Sequence, residues 1–373
     1  MIQIDRRLIK NFDWATFSIV TLLSLVGVVT IFSATRSPVS GEMPSFFIKQ
    51  LYWLIVSIFA FALIMGFDYL WLSRASYTLY GAGAVMLVMV LILGRTGMGA
   101  QRWLNLGVFS FQPSEIFKLF YIVAIARYLS KVDGEVGPVT FLKCFFLFVC
   151  IPMVLLIKQP DLGTAIILLT VFISIIATKG LHKKVVTMAV LLVILSVPFL
   201  GSIVWDGLKD YQKNRIVAFL DPEVDPSGIG YHINQSKVAI GSGQFIGKGY
   251  LKGTQGPFRF LPEKHTDFIF AVFAEEWGFL GSVALLFLYL LFILRGLDTA
   301  RKAKDEFGRL LAVGFSFMFT VYFFVNVSMT LGMMPVVGIP LPFMSYGGTA
   351  LLTNFLSAGI LINIRTRRFE LFY

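Results

Sequence analysis

Histidine and cysteine are almost missing from this chain, with three of the first and two of the second in 373 residues. Cys144 and Cys150 fall within one apolar stretch, so no disulfide framework is implied. His232 and His265 lie 33 positions apart and His182 is far from both. That spacing draws no metal-ligand cluster and no Ser-His-Asp arrangement. No cofactor is evident, and whether a divalent cation takes part is left open. Charge is scarce as well: 14% of residues are charged against 57% hydrophobic, with a mean hydropathy of +0.79. A water-soluble globule cannot bury that much apolar surface, so lipid must be the solvent for most of the chain. Phosphate-cradling loops are missing too. Gly243 stands one residue too close to Gly247-Lys248 for a P-loop, and Gly249 occupies the place of its Ser or Thr. The spacing Gly241, Gly243, Gly247 also misses the dinucleotide fingerprint.

What is present is a series of long apolar runs. About ten reach the roughly 17–25 residues a membrane-spanning helix needs: 14–34, 46–66, 74–93, 113–130, 141–157, 162–178, 185–204, 267–294, 308–331 and 347–364. Barrel strands would be half as long with period-two alternation, which the runs lack. The expectation is an all-α, polytopic membrane protein forming a single domain over 1–373. Its longest non-membrane segment, 205–266, lies between the seventh and eighth spans.

The net charge of +11 is sorted by loop. With the amino terminus inside, cytoplasmic segments hold eighteen basic residues, among them Arg6, Arg7, Lys10, Arg127, Lys183, Lys184, Arg301 and Arg367. The short outer loops hold five: Arg36, Lys49, Arg95, Arg102 and Lys158. The positive-inside rule places both termini in the cytoplasm. This sorting also explains the basic balance without nucleic acid. The first span lacks a convincing cleavage site and reads as an uncleaved anchor.

Even-numbered spans then begin at the outer surface, and local motifs gather at those ends. Pro113 suits a first helical position, with Glu115 and Lys118 three residues apart on one face behind it. The plain reading pairs them as a structural bridge; the functional one has Lys118 facing a wet cavity and awaiting an anion. Trp103 beside Arg102 reads most simply as an interfacial anchor. Asp161 follows Pro160 at the start of the sixth span, where a helix cap is the default. The eighth span opens with Glu263-Lys264-His265-Thr266-Asp267 and still carries Glu275 and Glu276. Asp267 is either a cap or, pushed up by burial, a base. If one of the two glutamates joins it, Glu275 is better placed, about 80° around the helix. The tenth span is led by Ser345-Tyr346-Gly347-Gly348. Helix amino termini suit phosphate, and Lys118, Arg102 and Arg215 could hold a pyrophosphate while carboxylates handle protons. Between 207 and 220 an interfacial helix is expected. The uncharged, proline-containing connection 332–346 is expected to dip against other helices.

These motifs, among them Gln101-Arg102-Trp103, Gln112-Pro113-Ser114-Glu115, Gln159 to Thr164, Ala218 to Pro222, Gly230 to Ile233, Gly253-Thr254-Gln255, Leu261 to Glu276 and Gly338 to Gly348, resemble those of the SEDS family (shape, elongation, division, sporulation) in family order along nearly the whole chain. Lys264 before His265 and Met344 before Ser345 favour its cell-elongation branch, RodA, over the division-linked FtsW branch. Trp277 departs from the leucine usual there. The resemblance implies a peptidoglycan glycosyltransferase in the bacterial cytoplasmic (inner) membrane, its active site facing outward. It would polymerise lipid II, a disaccharide-pentapeptide on undecaprenyl pyrophosphate. Its partners would be a class B penicillin-binding protein transpeptidase and other elongation-complex membrane proteins. Asp267 matches the family's essential aspartate, the general base, and Trp103 a functionally important tryptophan. Glu115, Lys118 and Asp161 match polar positions of the central cavity. Two rivals remain: a lipid II flippase, whose transport site would also be polar, and a scaffold whose motifs serve only as caps.

Overall fold

The computed structural model describes the chain apart from residues 1–10, 37–42, 98–99, 106, 108–109, 188–205, 208–209, 226–227, 258–259 and 369–373. Among the described residues the helices begin with α1 (Trp14–Thr35), α2 (Ser45–Gly66), α3 (Leu70–Leu93) and α4 (Pro113–Ser130). Then come α5 (Pro138–Phe145), α6 (Ile151–Lys158), α7 (Leu162–Lys179), α8 (Asp210–Leu220) and α9 (Ile229–Ser242). Three close the chain: α10 (Ile269–Lys302), α11 (Glu306–Thr330) and α12 (Gly348–Thr366). Among the described residues seven spans are long and apolar enough to cross a membrane, α5 and α6 counting as one. Helices α4 and α12 stand where two further spans were expected. The expected span 185–204 lies almost wholly outside the described residues. The protein is thus a mainly helical, multi-pass membrane protein, and α8 is the short helix expected near 207–220.

One element departs from an all-helical reading. The segment before α4 folds as a small antiparallel sheet of β1 (Arg95–Gly97), β2 (Ala100–Asn105) and β3 (Ser110–Phe111), in that order. It sets Trp103 opposite Arg95 and Leu104 opposite Phe111.

Helix α11 is the hub. Its apolar stretch is 83% buried, far more than that of the other spanning helices, and it packs against α4, α7, α10 and α12. Charge is absent from Leu310 to Ile364, and this suits a helix that meets protein on nearly every side. Around it, Phe319 packs on Phe292 at 4.9 Å and on Phe343 at 5.4 Å, and Phe343 reaches Phe355 at 5.7 Å. Phe343 belongs to the connection between α11 and α12. With Ile339, Leu341 and Met344 it is buried, and Tyr289 donates to the carbonyl of Pro342 at 2.6 Å. The proline-containing connection therefore folds back into the bundle. Gly27 of α1 permits this: a Cβ there would stand 2.6 Å from the Met344 Cα.

Two spans are interrupted. Between α5 and α6 the residues Phe146–Cys150 form a π turn just before Pro152, a common way to absorb a proline's missing donor. In α10 the break is sharper: Gly278 has φ +65°, ψ −161°. The freed backbone is paired by the glycine-rich segment ahead of α10. Lys248 and Gly249 N–H donate to the carbonyls of Glu275 and Glu276 at 3.0 and 2.9 Å. Phe279 and Leu280 N–H in turn donate to Gln244 and Phe245 at 2.9 and 3.1 Å. A Cβ on Gly247, itself at φ +82°, would lie 2.1 Å from the Glu276 carbonyl oxygen. Those glycines make a backbone graft, not a phosphate cradle.

Candidate functional site

The site is built on two rungs of α11. Tyr322 and Asn326 are four residues apart, so they share a face about 6 Å apart along the axis. Both are buried.

At the Tyr322 rung, Lys118 Nζ lies 2.7 Å from Glu115 Oε1. The same ammonium donates to the Tyr322 hydroxyl, which donates to Glu115 Oε2 at 3.2 Å. All three side chains are buried, Lys118 at 1% exposure. A buried charge pair survives only with its remaining hydrogen bonds satisfied, and the phenol supplies them. The plain reading of the pair, a structural bridge, describes this geometry; the ammonium is not waiting open for an anion.

At the Asn326 rung, the side-chain amide donates to the carbonyls of Asp267 at 3.0 Å and Ile339 at 2.8 Å. The turn carrying Asp267 is pinned from three more directions. Ser345 Oγ donates to the Thr266 carbonyl at 2.7 Å and accepts from Leu341 N–H at 2.8 Å. Tyr346 N–H donates to the His265 carbonyl at 2.8 Å. Glu263, in the left-handed region at φ +49°, accepts on its carbonyl from Thr266 and Phe268 N–H, and on its carboxylate from Thr266 Oγ1 at 2.8 Å. His265 itself is clamped between rings, 4.2 Å from Phe46 and 5.6 Å from Tyr346, and burial holds its imidazole below the usual range.

The Asp267 carboxylate takes no part in these bonds. Protein atoms crowd it closely, yet solvent still reaches part of it. Its pKa is raised from 3.8 to about 6, first by burial and then by the Glu263 carboxylate, against the pull of Arg215 and Arg102. Gly338, at φ +77°, leaves the room: a Cβ there would stand 3.5 Å from Asp267 Oδ2 and 3.8 Å from Arg215 Nη1. A proton acceptor thus stands beside two guanidinium groups.

Arg102 reaches from β2 to the start of α7, where Nη1 lies 3.9 Å from Asp161 Oδ1 and Nη2 donates to the Pro160 carbonyl. Asp161 caps α7 as expected, accepting from Thr164 N–H at 3.4 Å and Thr164 Oγ1 at 2.8 Å. It also accepts from Ser114 Oγ at 3.0 Å, one residue before Glu115. The cap and the cluster are one structure.

The remaining expected site residues fall differently. Trp103 is over a third exposed on the small sheet. Ser345 acts through the backbone contacts above. Glu275 faces the segment 248–255: fully buried, it accepts from Lys248 Nζ at 2.6 Å, from Thr254 N–H and Oγ1 at 2.8 Å each, and from Gln255 N–H at 3.1 Å. The structure gives it a different place from the substrate-binding one expected, an anchor for the segment 248–255, because it is fully buried and its Oε1 is taken up by Lys248 and Thr254. Glu276 accepts from Ser33 of α1. Among the described residues no group of three or more His, Cys, Asp or Glu stands close enough to hold a metal ion.

Sequence reasoning passed over Asn326 and Tyr322. A signal existed: an amide inside an uncharged apolar run is costly unless paired, and the same holds for Gln50, which bonds Ser345 and Gly347. Glu263 was read only as part of a polar run.

Comparison with known proteins places these features in context. The model of a cell cycle protein family that groups FtsW, RodA and SpoVE matches residues 11–370. Over 292 residues the chain is 45% identical to the peptidoglycan glycosyltransferase MrdB of Escherichia coli (strain K12), covering 78% of this chain and 77% of that protein. It is 30% identical over 428 residues to the peptidoglycan glycosyltransferase RodA of Treponema pallidum (strain Nichols), covering 96% and 99%. Among solved structures it superposes with TM-score 0.82 and 31% identity on a chain of a peptidoglycan synthase complex described as coordinating polymerization and crosslinking, covering 96% and 99%. It also superposes on the rod shape determining protein RodA of Thermus thermophilus with TM-score 0.70 and 28% identity, covering 96% and 98%.

Proposed function

The chain belongs to the FtsW, RodA and SpoVE family of cell cycle proteins, and from that membership we propose that it is an inverting peptidoglycan glycosyltransferase that polymerises lipid II during cell elongation. The observation that carries the mechanism is the Asp267 carboxylate, half-buried beside two cations with its pKa raised to about 6. At neutral pH such a group is mostly ionised, yet far more basic than an ordinary aspartate, which is what a general base requires.

In this reading Asp267 takes the proton from the 4-hydroxyl of the acceptor GlcNAc. That oxygen attacks the anomeric carbon of the donor MurNAc from the face opposite the pyrophosphate. The new C–O bond forms as the bond to pyrophosphate breaks, and its electron pair departs with undecaprenyl pyrophosphate. The linkage inverts from α to β. Arg102 and Arg215 offset the developing negative charge. Because pyrophosphate leaves readily, no second carboxyl is needed as acid, unlike the inverting hydrolases. Glu115, Lys118 and Tyr322 brace α4 against α11, and through Ser114 and Asp161 they set where Arg102 can stand. The cleft opens to the outer face of the cytoplasmic membrane, with both termini inside, and a class B penicillin-binding protein crosslinks the product.

The test is polymerisation of lipid II by the purified protein with its transpeptidase partner. Glycan strands on a gel are expected from the wild type and none from Asp267→Asn, with folding and partner binding retained. Polymer from Asp267→Asn would sink the base assignment. Transfer of lipid II across vesicles with no polymer would point to a flippase.

A further inference from the structure

Between α3 and the composite span α5–α6 runs an apolar groove of about 590 Å³, within the range of sites that hold small molecules. Val85, Val88 and Met89 form one wall, and Phe146, Ile151 and Val154 the other. Val85 and Val154 are more than half exposed. On two spanning helices that exposure faces hydrocarbon, so the occupant is a lipid chain.

The two ends of the groove differ. Away from the site, one helical turn before Ala84, Tyr80 crosses from α3 to the other wall: its ring meets Phe148 at 5.4 Å and its hydroxyl donates to the Leu147 carbonyl at 2.6 Å. Leu147 lies inside the π turn, so Tyr80 satisfies backbone at the point where the helix register slips. At the other end stands Gln159, buried, donating to the Leu87 carbonyl at 2.7 Å. The next two residues are Pro160 and Asp161, which receive Arg102. Tyr80 thus ties α3 to the π turn on one side of the groove, and Gln159 ties it to the candidate site on the other.

We propose that this groove holds the polyprenyl chain of a lipid-linked substrate whose pyrophosphate lies at Arg102. This rests on the glycosyltransferase reading of the site. An ordinary phospholipid tail matches the walls in polarity, but its single phosphodiester offers Arg102 less negative charge than a pyrophosphate does. A polyprenyl chain tethered through its pyrophosphate enters the groove as an intramolecular event, at raised effective concentration. Each apolar segment it buries then adds to affinity for the whole substrate.

The direct test is labelling of the full-length wild-type protein with lipid II that carries a diazirine in its prenyl chain, read by mass spectrometry. Crosslinks are expected in residues 84–89 and 146–155. Excess undecaprenyl pyrophosphate should compete them away, and the same excess of phosphatidylglycerol should not. Label spread evenly over the lipid-facing helices, or displaced equally by phosphatidylglycerol, overturns the proposal. Filling the groove with Val154→Trp should raise KM for full-length lipid II roughly tenfold and leave kcat unchanged. KM for a short-prenyl analogue should not move, and an equal shift for both substrates overturns the proposal as well. Labelling needs no turnover. Groove labelling without polymer would therefore sink the glycosyltransferase reading alone, and polymer without groove labelling would sink this one alone.

Discussion

Asn326 holds Asp267 by its backbone carbonyl and leaves its carboxylate untouched. The same amide group bonds Ile339, so one buried side chain fixes both the turn that carries the acid and the connection behind it. Support of this kind positions a base without lowering its basicity, whereas a hydrogen bond to the carboxylate itself would favour the ionised form.

Replacing Asn326 with Leu should therefore cost stability and turnover together. Two buried carbonyls lose their donor, a loss of about 1–3 kcal/mol, and Asp267 loses its alignment. The expected result is a lower thermal midpoint and a kcat reduced more than tenfold with KM for lipid II little changed. An unaltered kcat in a folded Asn326→Leu protein would refute the positioning role.

The pH dependence follows from the environment of Asp267. With a pKa near 6, kcat should fall about tenfold per pH unit on the acid side of that value. Glu263→Gln removes the negative neighbour that helps raise the pKa, so its acid limb should move to lower pH. A rate profile flat from pH 7 down to pH 5 would contradict the assignment.

Asp267→Asn should be more stable than the wild type at neutral pH. The native state holds the proton up to about pH 6, while the unfolded chain releases it near 3.8. Wild-type stability therefore declines as pH rises through that window, and the full penalty is present above it. Asparagine escapes this penalty, a gain of about 1–3 kcal/mol after allowing for screening by the solvent that reaches the group. Thermal unfolding at pH 7 and pH 4 measures it, and the difference between the two proteins should shrink at the lower pH.

The Glu115–Lys118 pair offers a cleaner separation of roles. Lys118→Met leaves a buried carboxylate without its partner and should destabilise by about 3–5 kcal/mol. The double change Glu115→Leu with Lys118→Met should recover much of that loss. Polymerisation recovering along with stability would mark the pair as a brace, while a stable double variant without activity would mark Lys118 as a group that meets substrate.

Glu275→Ala should free the segment 248–255, which loses an acceptor for Lys248, Thr254 and Gln255. Faster limited proteolysis between Gly243 and Gly256 is expected. Unchanged cleavage would mean that the backbone pairing at Gly278 is sufficient by itself.

Much of the frame was legible in the sequence because its cause is local. Apolar runs near the thickness of a bilayer predict spanning helices, and proline with an acid behind it predicts the starts of α4 and α7. Asp267 stood out because a carboxylate at a lipid boundary needs a reason to be there. What was not legible depends on contacts between distant segments. Glu275 reads as a substrate group by its angle on the helix, but its partners come from a glycine-rich segment about twenty residues earlier. Lys118 looks available until Tyr322, some two hundred residues on, occupies it. The sheet 95–111 is too short to show a strand period. The break at Gly278 leaves no mark in hydropathy, since a glycine inside an apolar run looks like any other.

That break has a practical consequence. Gly241–Gly256, rich in glycine and next to a spanning helix, is where one would naturally insert an epitope or a fluorophore. Its main chain, however, takes the place of the next turn of α10, so an insertion there would unzip a helix in the middle of the bundle. The stretch around Glu223 and Val224, exposed and bounded by the turn at Asp221, is the better place to attach a reporter.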